Sequence, residues 1–364
     1  MEIGIVGLPN VGKSTLFNAL SRASAPASNY PYCTIEPNVA MVEVADERLD
    51  DLAGIVGPKK VTHPVLKFMD IAGLARGASK GEGLGNMFLS HIRGVDAIAH
   101  VLRCFNDESV VHLEGEVNPV RDLEIVETEL FLCDIQILDR RVAKLDKIAR
   151  SGDHHARKEL DFLVKVRSEL DQGIRFKEDD ELDPELRAVL EETHLLSSKP
   201  AVFVANIGDE PKSETALRFV ESVRRSAEER GSACIPISAK LETEIGELPD
   251  EEGVALLKEM GFEESALKRF VRACYDLLQV ITFFTIKGEE TRGWSVRRGV
   301  SVRDAAGKIH SDMRDRFICA EVVSYGDFIS CGGMADVREK GLVRTEGKEY
   351  KVEDGDVVLI KFGK

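Results

Sequence analysis

Gly7-Leu8-Pro9-Asn10-Val11-Gly12-Lys13-Ser14 fits GxxxxGK[ST], and this segment limits what the chain can fold into more than any other. The pattern carries chemistry only where a buried strand stops and a helix starts. Both flanks comply: Ile3-Gly4-Ile5-Val6 reads as a strand and Thr15-Leu16-Phe17-Asn18-Ala19-Leu20 as a helix. The glycines let the backbone curl so that successive N–H groups face a β-phosphate, and the helix N-terminus adds positive potential. Lys13 then bridges β- and γ-oxygens, while Ser14 offers a hydroxyl to Mg²⁺. Asn10, Val11, Gly12, Lys13, Ser14 and Thr15 are the expected phosphate contacts.

A strand of this kind needs parallel neighbours. Val65 to Met69, Ala97 to Leu102, Ala201 to Ala205 and Cys234 to Ile237 are short apolar runs separated by helix-like segments, the pattern of a doubly wound α/β sheet. From Asn106 to Pro200 the chain travels far beyond the dozen or so residues that a crossover requires, so something is inserted. Phe131, Ile135, Leu138, Val142, Leu145 and Ala149 step alternately by four and three, a heptad seam. After the turn-like Ser151-Gly152-Asp153, Leu163, Val166 and Leu170 continue the apolar spacing, which predicts an antiparallel helical hairpin. Asp183-Pro184 opens a further helix ending before Lys199-Pro200. From Ile281 onward, short strands and glycines predict a small β-containing domain. The expected plan is a nucleotide-binding domain at 1–127 and 199–280, a helical hairpin at 128–198 and a C-terminal domain at 281–364.

Asp70-Ile71-Ala72-Gly73 follows the run ending at Met69, where a strand-tip carboxylate holds magnesium and Gly73 offers its N–H to a γ-phosphate. Glycines 73, 77, 81, 83 and 85 make the next segment pliable enough to order around that phosphate. Thr34, within Tyr30 to Asn38, is the candidate for a second magnesium hydroxyl, giving Ser14, Thr34 and Asp70 as the metal set. Leu74 stands where Ras-like enzymes carry the glutamine that orients water, and leucine cannot hydrogen-bond a water.

Together, Asn10 to Thr15, Tyr30 to Asn38, Asp70 to Leu74, Ser238-Ala239-Lys240 and Ala306 to Asp312 resemble the YchF subfamily of Obg-related, translation-factor-class P-loop NTPases, over essentially the whole chain. The resemblance implies that the inserted hairpin is a coiled coil and the C-terminal part a β-grasp TGS domain. It also implies ATP hydrolysis, association with the ribosome through large-subunit rRNA or protein, a base site at Asn206 and Ile207 with Ser238 and Ala239 over the purine, and a water-orienting histidine at His112. Lys13, Gly73 and His112 are thus the expected catalytic groups. Where GTPases carry Asn-Lys-x-Asp, this chain has Asn206-Ile207-Gly208-Asp209. An ionised Asp209 would repel adenine N1 and suit the donors of guanine, so the residues leave ATP and GTP open while the resemblance favours ATP.

The 49 basic and 64 acidic residues leave a net charge of −15, against a protein that coats nucleic acid through net charge, and no DNA partner is expected. The balance is uneven, because residues 281–364 hold 15 Lys/Arg against 14 Asp/Glu and any RNA-facing surface fits there best. No apolar run reaches the roughly 18 residues of a membrane span, and Met1 leads into a strand without a basic leader, so a cytoplasmic location without membrane contact is expected. Seven scattered cysteines suit reduced, mostly buried thiols. Two rivals stay open: a GTP-driven conformational switch with little turnover, and a stress or redox adaptor in which nucleotide is structural. A metabolic kinase fits less well, since Thr34 and the DxxG element suit water as acceptor.

Overall fold

The computed structural model describes residues 1–24, 38–71, 92–107, 110, 112, 115–176, 182–208 and 213–363, the side chain of residue 250 apart. Thr34, Gly73, Leu74, Asp209 and the glycines after Gly73 lie outside the described residues. In chain order the elements are β1 (Glu2–Val6), α1 (Lys13–Arg22), β2 (Val39–Glu43), α2 (Glu47–Val56), β3 (Lys60–Thr62), β4 (Val65–Asp70), β5 (Ala97–Arg103), α3 (Pro119–Ala149), α4 (His154–Asp171), α5 (Pro184–Thr193), β6 (Ala201–Asn206), α6 (Glu214–Glu229) and β7 (Ala233–Ile237). They continue with α7 (Ala239–Ile245), α8 (Asp250–Glu259), α9 (Ala266–Leu277), β8 (Val280–Lys287), β9 (Glu290–Arg297), α10 (Val302–Ile309), α11 (Ser311–Asp315), β10 (Phe317–Ser324), α12 (Tyr325–Cys331), α13 (Met334–Glu339), β11 (Arg344–Glu346) and β12 (Asp356–Phe362).

The chain divides into two compact units, the first being Met1–Arg22, Pro37–Ala40 and Lys67–Phe270. Its sheet has the order β2-β4-β1-β5-β6-β7, with β1 parallel to β4 and β5, and β6 parallel to β5 and β7. Every residue of β5 and β6 is buried, as expected of central strands covered on both faces. The register sets Ile5 beside Asp70, Val6 beside His100, Arg103 beside Asn206 and Asn206 beside Ile237. The carboxyl ends of these strands therefore form one edge, the place where open α/β sheets bind ligands.

Between β5 and β6 stand the inserted helices. Asn118 caps α3 by accepting from Arg121 N at 3.1 Å, and Pro119 occupies its first turn. Arg141 meets Glu159 at 2.7 Å and Arg167 meets Asp139 at 2.7 Å, so α3 and α4 run in opposite senses. Leu138 of the predicted seam is buried against Leu163, Val166 and Leu170, with Phe131, Ile135, Val142 and Leu145 packed around them. Val189 and Leu190 add α5 as a third helix on this core. Asp134, fully buried on α3, accepts from Leu196 N and Ser197 N at 2.8 Å each and so ties α3 to the chain returning toward β6.

The second unit comprises Ala23–Glu36, Met41–Leu66 and Val271–Lys364. Its sheet runs β11-β10-β12-β8-β9-β3. One face packs Ile281, Phe283, Val296, Val302 and Val322 together. The other face packs Phe284, Val323, Phe328 and Val357 with Leu49 and Leu52 of α2. The expected plan kept residues 41–66 with the nucleotide-binding part, whereas the contacts group them with the C-terminal strands. The physical cause is that α2 covers a sheet face which the C-terminal residues leave apolar. No helix among the described residues is long and apolar enough to cross a membrane.

Candidate nucleotide site

The loop after β1 turns as its glycines require. Gly12 holds φ +95°, and a Cβ there would stand 2.1 Å from Asn206 Nδ2, so both the conformation and the space demand glycine. Lys13 Nζ donates to the carbonyls of Gly7 at 2.8 Å and Leu8 at 2.7 Å, which arches the loop over the start of α1. Burial pushes the Lys13 ammonium below its ordinary pKa, and the charge of Asp70 partly restores it. Burial likewise pushes Asp70 up, opposed by Lys13.

Asp70 Oδ1 is buried without a hydrogen-bond partner among the described residues, while the Ser14 residue is exposed at the first turn of α1. A buried carboxylate oxygen left bare is costly, and a hard divalent cation, directly or through its water, is the partner that such oxygens suit. The residues present therefore fit magnesium.

A cleft of about 770 Å³ opens over this loop, lined by Asn10, Gly12, Lys13, Ser14 and Thr15 together with Phe105, Val110, Asn206, Ile207, Gly208 and Lys240. Val11, Ser238 and Ala239 are buried. Asn206 ties the phosphate loop to the start of α7: its Nδ2 donates to Val11 O at 2.9 Å and its Oδ1 accepts from Ala239 N at 3.2 Å. The Ile207 N–H donates to Ile237 O at 2.9 Å. The Asn206 amide and the Ile207 N–H, expected at the base, are thus engaged with the protein itself. Ser238 caps α7, its Oγ accepting from Leu241 N at 3.3 Å.

Phe105, Asn106, Asp107 and Val110 form a wall that sequence reasoning missed. Arg103, 1% exposed at the end of β5, donates to the carbonyls of Phe105 at 3.2 Å, Asp107 at 3.0 Å and Val110 at 2.9 Å. Its guanidinium also lies 4.7 Å from the Phe105 ring centre, and burial lowers its pKa against the charges of Asp107 and Asp122. The available signal was a cation ending a strand that is otherwise apolar apart from His100. His112 does not line the cleft. Its Nε2 stands 2.8 Å from Asp122 Oδ2, with the two side chains 5% and 1% exposed.

Comparison with known proteins bears on the whole chain. A family described as a 50S ribosome-binding GTPase matches residues 2–133, and the YchF-GTPase_C family, described as a protein of unknown function, matches residues 280–363. A protein of Bacillus subtilis named ribosome-binding ATPase YchF is 45% identical over 368 residues, covering 100% of this chain and 99% of the relative. One of the same name from Escherichia coli O157:H7 is 44% identical over 361 residues, 99% of each. The structure of the Schizosaccharomyces pombe YchF GTPase superposes with a TM-score of 0.87 at 34% identity, covering 99% of this chain and 97% of that one. A GTP binding protein from Pyrococcus horikoshii shares the fold, with a TM-score of 0.60 at 21% identity and 100% of each chain covered.

Proposed function

The chain belongs to the YchF family, and from that premise we propose that it is a magnesium-dependent nucleoside triphosphatase, hydrolysing ATP to the diphosphate and phosphate as a ribosome-associated switch. The observation that carries the reading is the arrangement around Lys13: an arched P-loop whose carbonyls it holds, and beside it the charge of Asp70, with a buried Oδ1 that has no hydrogen-bond partner among the described residues. The names of the bacterial relatives support both the hydrolysis and the ribosome.

Lys13 moves from its loop carbonyls onto the β- and γ-oxygens, and the N–H groups of the P-loop and of Gly73 receive the charge that develops there. Ser14, Thr34 and Asp70 would hold the magnesium, which when bound would supply positive charge to neutralise the phosphates. His112 orients that water in place of the missing glutamine. Asn206, whose Nδ2 carries a second hydrogen beside the one given to Val11 O, and the backbone of Ile207 meet the base, with Ser238-Ala239-Lys240 over the purine. The proposed plan keeps the hairpin at 128–198 and a TGS domain at 281–364 as the parts that meet the ribosome.

GTP is the second reading, favoured by the name of the fission-yeast relative and by the donor-seeking carboxylate of Asp209. Calorimetric titration with ATP, GTP and their diphosphates, with and without magnesium, tests both. Tighter adenine binding supports the ATPase, and a guanine preference transfers the reading to GTP. Lys13→Ala is expected to abolish nucleotide-dependent turnover, and wild-type turnover in that variant removes the site. Sedimentation with ribosomes tests the partner: protein left in the supernatant in every nucleotide state refutes it.

A further inference from the structure

Helix α3 has a second working face. Leu138, Val142 and Leu145 pack into the hairpin core, whereas Ile137, Arg140, Arg141 and Lys144, three and four residues apart, form a stripe along a separate pocket of about 330 Å³. Arg93, which precedes β5, and Glu192, Thr193 and His194 at the end of α5 complete its lining. Four arginine or lysine side chains and a histidine thus share the pocket with one carboxylate, in a chain whose net charge is −15. Arg141 is spent on the protein: it donates to Glu159 Oε1 at 2.9 and 2.7 Å, to Thr193 Oγ1 at 3.1 Å and to Glu192 Oε2 at 3.3 Å, which pins α3 to α4 and α5. Arg93, Arg140 and Lys144 are exposed, and their side chains enter no hydrogen bond or ion pair among the described residues, although the buried Asp134 feels the charge of Arg93. The backbone of Arg93 is held in turn, its carbonyl accepting from Lys199 Nζ at 3.0 Å. His194 ends α5 at φ +49°, a left-handed turn that glycine takes at less cost, so a side chain is kept where the backbone favours none.

We propose that this pocket binds the phosphodiester backbone of RNA on the ribosome, through Arg93, Arg140 and Lys144. Arg93 and Arg140 suit a phosphate because a planar guanidinium offers it two parallel N–H donors, and Lys144 adds a compact positive charge. Cations without internal partners give up no ion pair on binding, so their whole charge is available to displace the counterions of the nucleic acid. Arg141, held by Glu159 and Thr193, is the post that spaces Arg140 and Lys144 on a helix already fixed against its neighbours, so little ordering remains to be paid when the anion arrives. None of these residues lines the nucleotide cleft, which makes the pocket separable from hydrolysis.

The inference rests on the reading of the chain as ribosome-associated, and the test separates the two. Sedimentation with ribosomes, and binding of naked large-subunit rRNA over a range of KCl concentrations, are measured for the full chain and for two triple variants. One removes the pocket cations, by Arg93→Ala, Arg140→Ala and Lys144→Ala. The other removes equal charge from exposed positions of α4 and α6, by Arg157→Ala, Lys165→Ala and Arg225→Ala. Losing three phosphate contacts at about 0.7 each should make the slope of log K against log salt shallower by about 2 and lower rRNA affinity about tenfold or more. The control should keep the slope, and both variants should keep the thermal melt, nucleotide affinity and ribosome-free hydrolysis of wild type. Wild-type protein left in the supernatant in every nucleotide state overturns the reading beneath. Sedimenting wild type beside a pocket variant of unchanged rRNA affinity and slope overturns this inference alone, as does an equal loss in the control. A pocket variant that loses the ribosome yet binds naked rRNA like wild type gives the pocket to a ribosomal protein and overturns it. Displacement of rRNA by millimolar inorganic phosphate at constant ionic strength gives the pocket to a small phosphate ligand, and overturns it too. Should the pocket variant melt early, Arg140→Glu takes its place: weakened rRNA binding with a native melt supports the site, and unchanged binding overturns it.

Discussion

Replacing Asn206 with alanine separates a residue that reads the base from one that holds the phosphate loop. The side chain is 5% exposed and makes two hydrogen bonds, Nδ2 to Val11 O at 2.9 Å and Oδ1 from Ala239 N at 3.2 Å. Both partners are buried, Val11 at 1% and Ala239 at 2% exposure, so truncation strands a carbonyl and an N–H where water does not reach them. Each stranded group costs about 1 to 3 kcal/mol, and the pair about 2 to 6 kcal/mol. That is a large part of the roughly 5 to 15 kcal/mol by which a domain is stable. Urea unfolding with linear extrapolation reads the loss. Because the loop itself slackens, affinity for ATP, GTP and both diphosphates should fall by a similar factor. A loss of stability under about 0.5 kcal/mol, the usual effect of a surface change, or a loss of affinity confined to one base, refutes the reasoning.

Two further outcomes follow from buried titrating groups. His100 is fully buried, and desolvation, aided by Arg175 and Arg230, lowers its pKa from 6.5 to about 3. The unfolded chain thus binds the proton first, and stability drains as pH falls from about 6.5 toward about 3. In His100→Leu the stability difference between pH 7 and pH 5 should shrink by about 2 kcal/mol, and an unchanged difference in urea unfolding sinks the account. Asp70 carries the opposite sign: its pKa is raised by burial, so ionisation opposes folding as pH rises through the carboxylate range. Asp70→Asn should melt higher than wild type at pH 7 without nucleotide, with the gap closing near pH 4, and magnesium should no longer strengthen its nucleotide binding. A lower melting temperature at pH 7 counts against it.

What the sequence determined alone is what the chain builds from neighbours in order. The P-loop was legible because strand, glycines, lysine and helix are contiguous, and their spacing is their geometry. The seam from Phe131 to Leu145 was legible because helical period repeats locally, and it appears in the core that Leu138, Leu163 and Val166 share. Only the tertiary structure decided the rest, since those contacts join residues whose separation carries no pattern. Asn206 reaches Val11 across 195 positions, which gives an expected base contact a hold on the phosphate loop as well. Arg103 looks like the end of a strand until its guanidinium is seen gathering three carbonyls of the cleft wall. Residues 41–66 joined the C-terminal strands because an apolar sheet face must be covered by whichever amphipathic helix can reach it, and chain order does not say which helix that is.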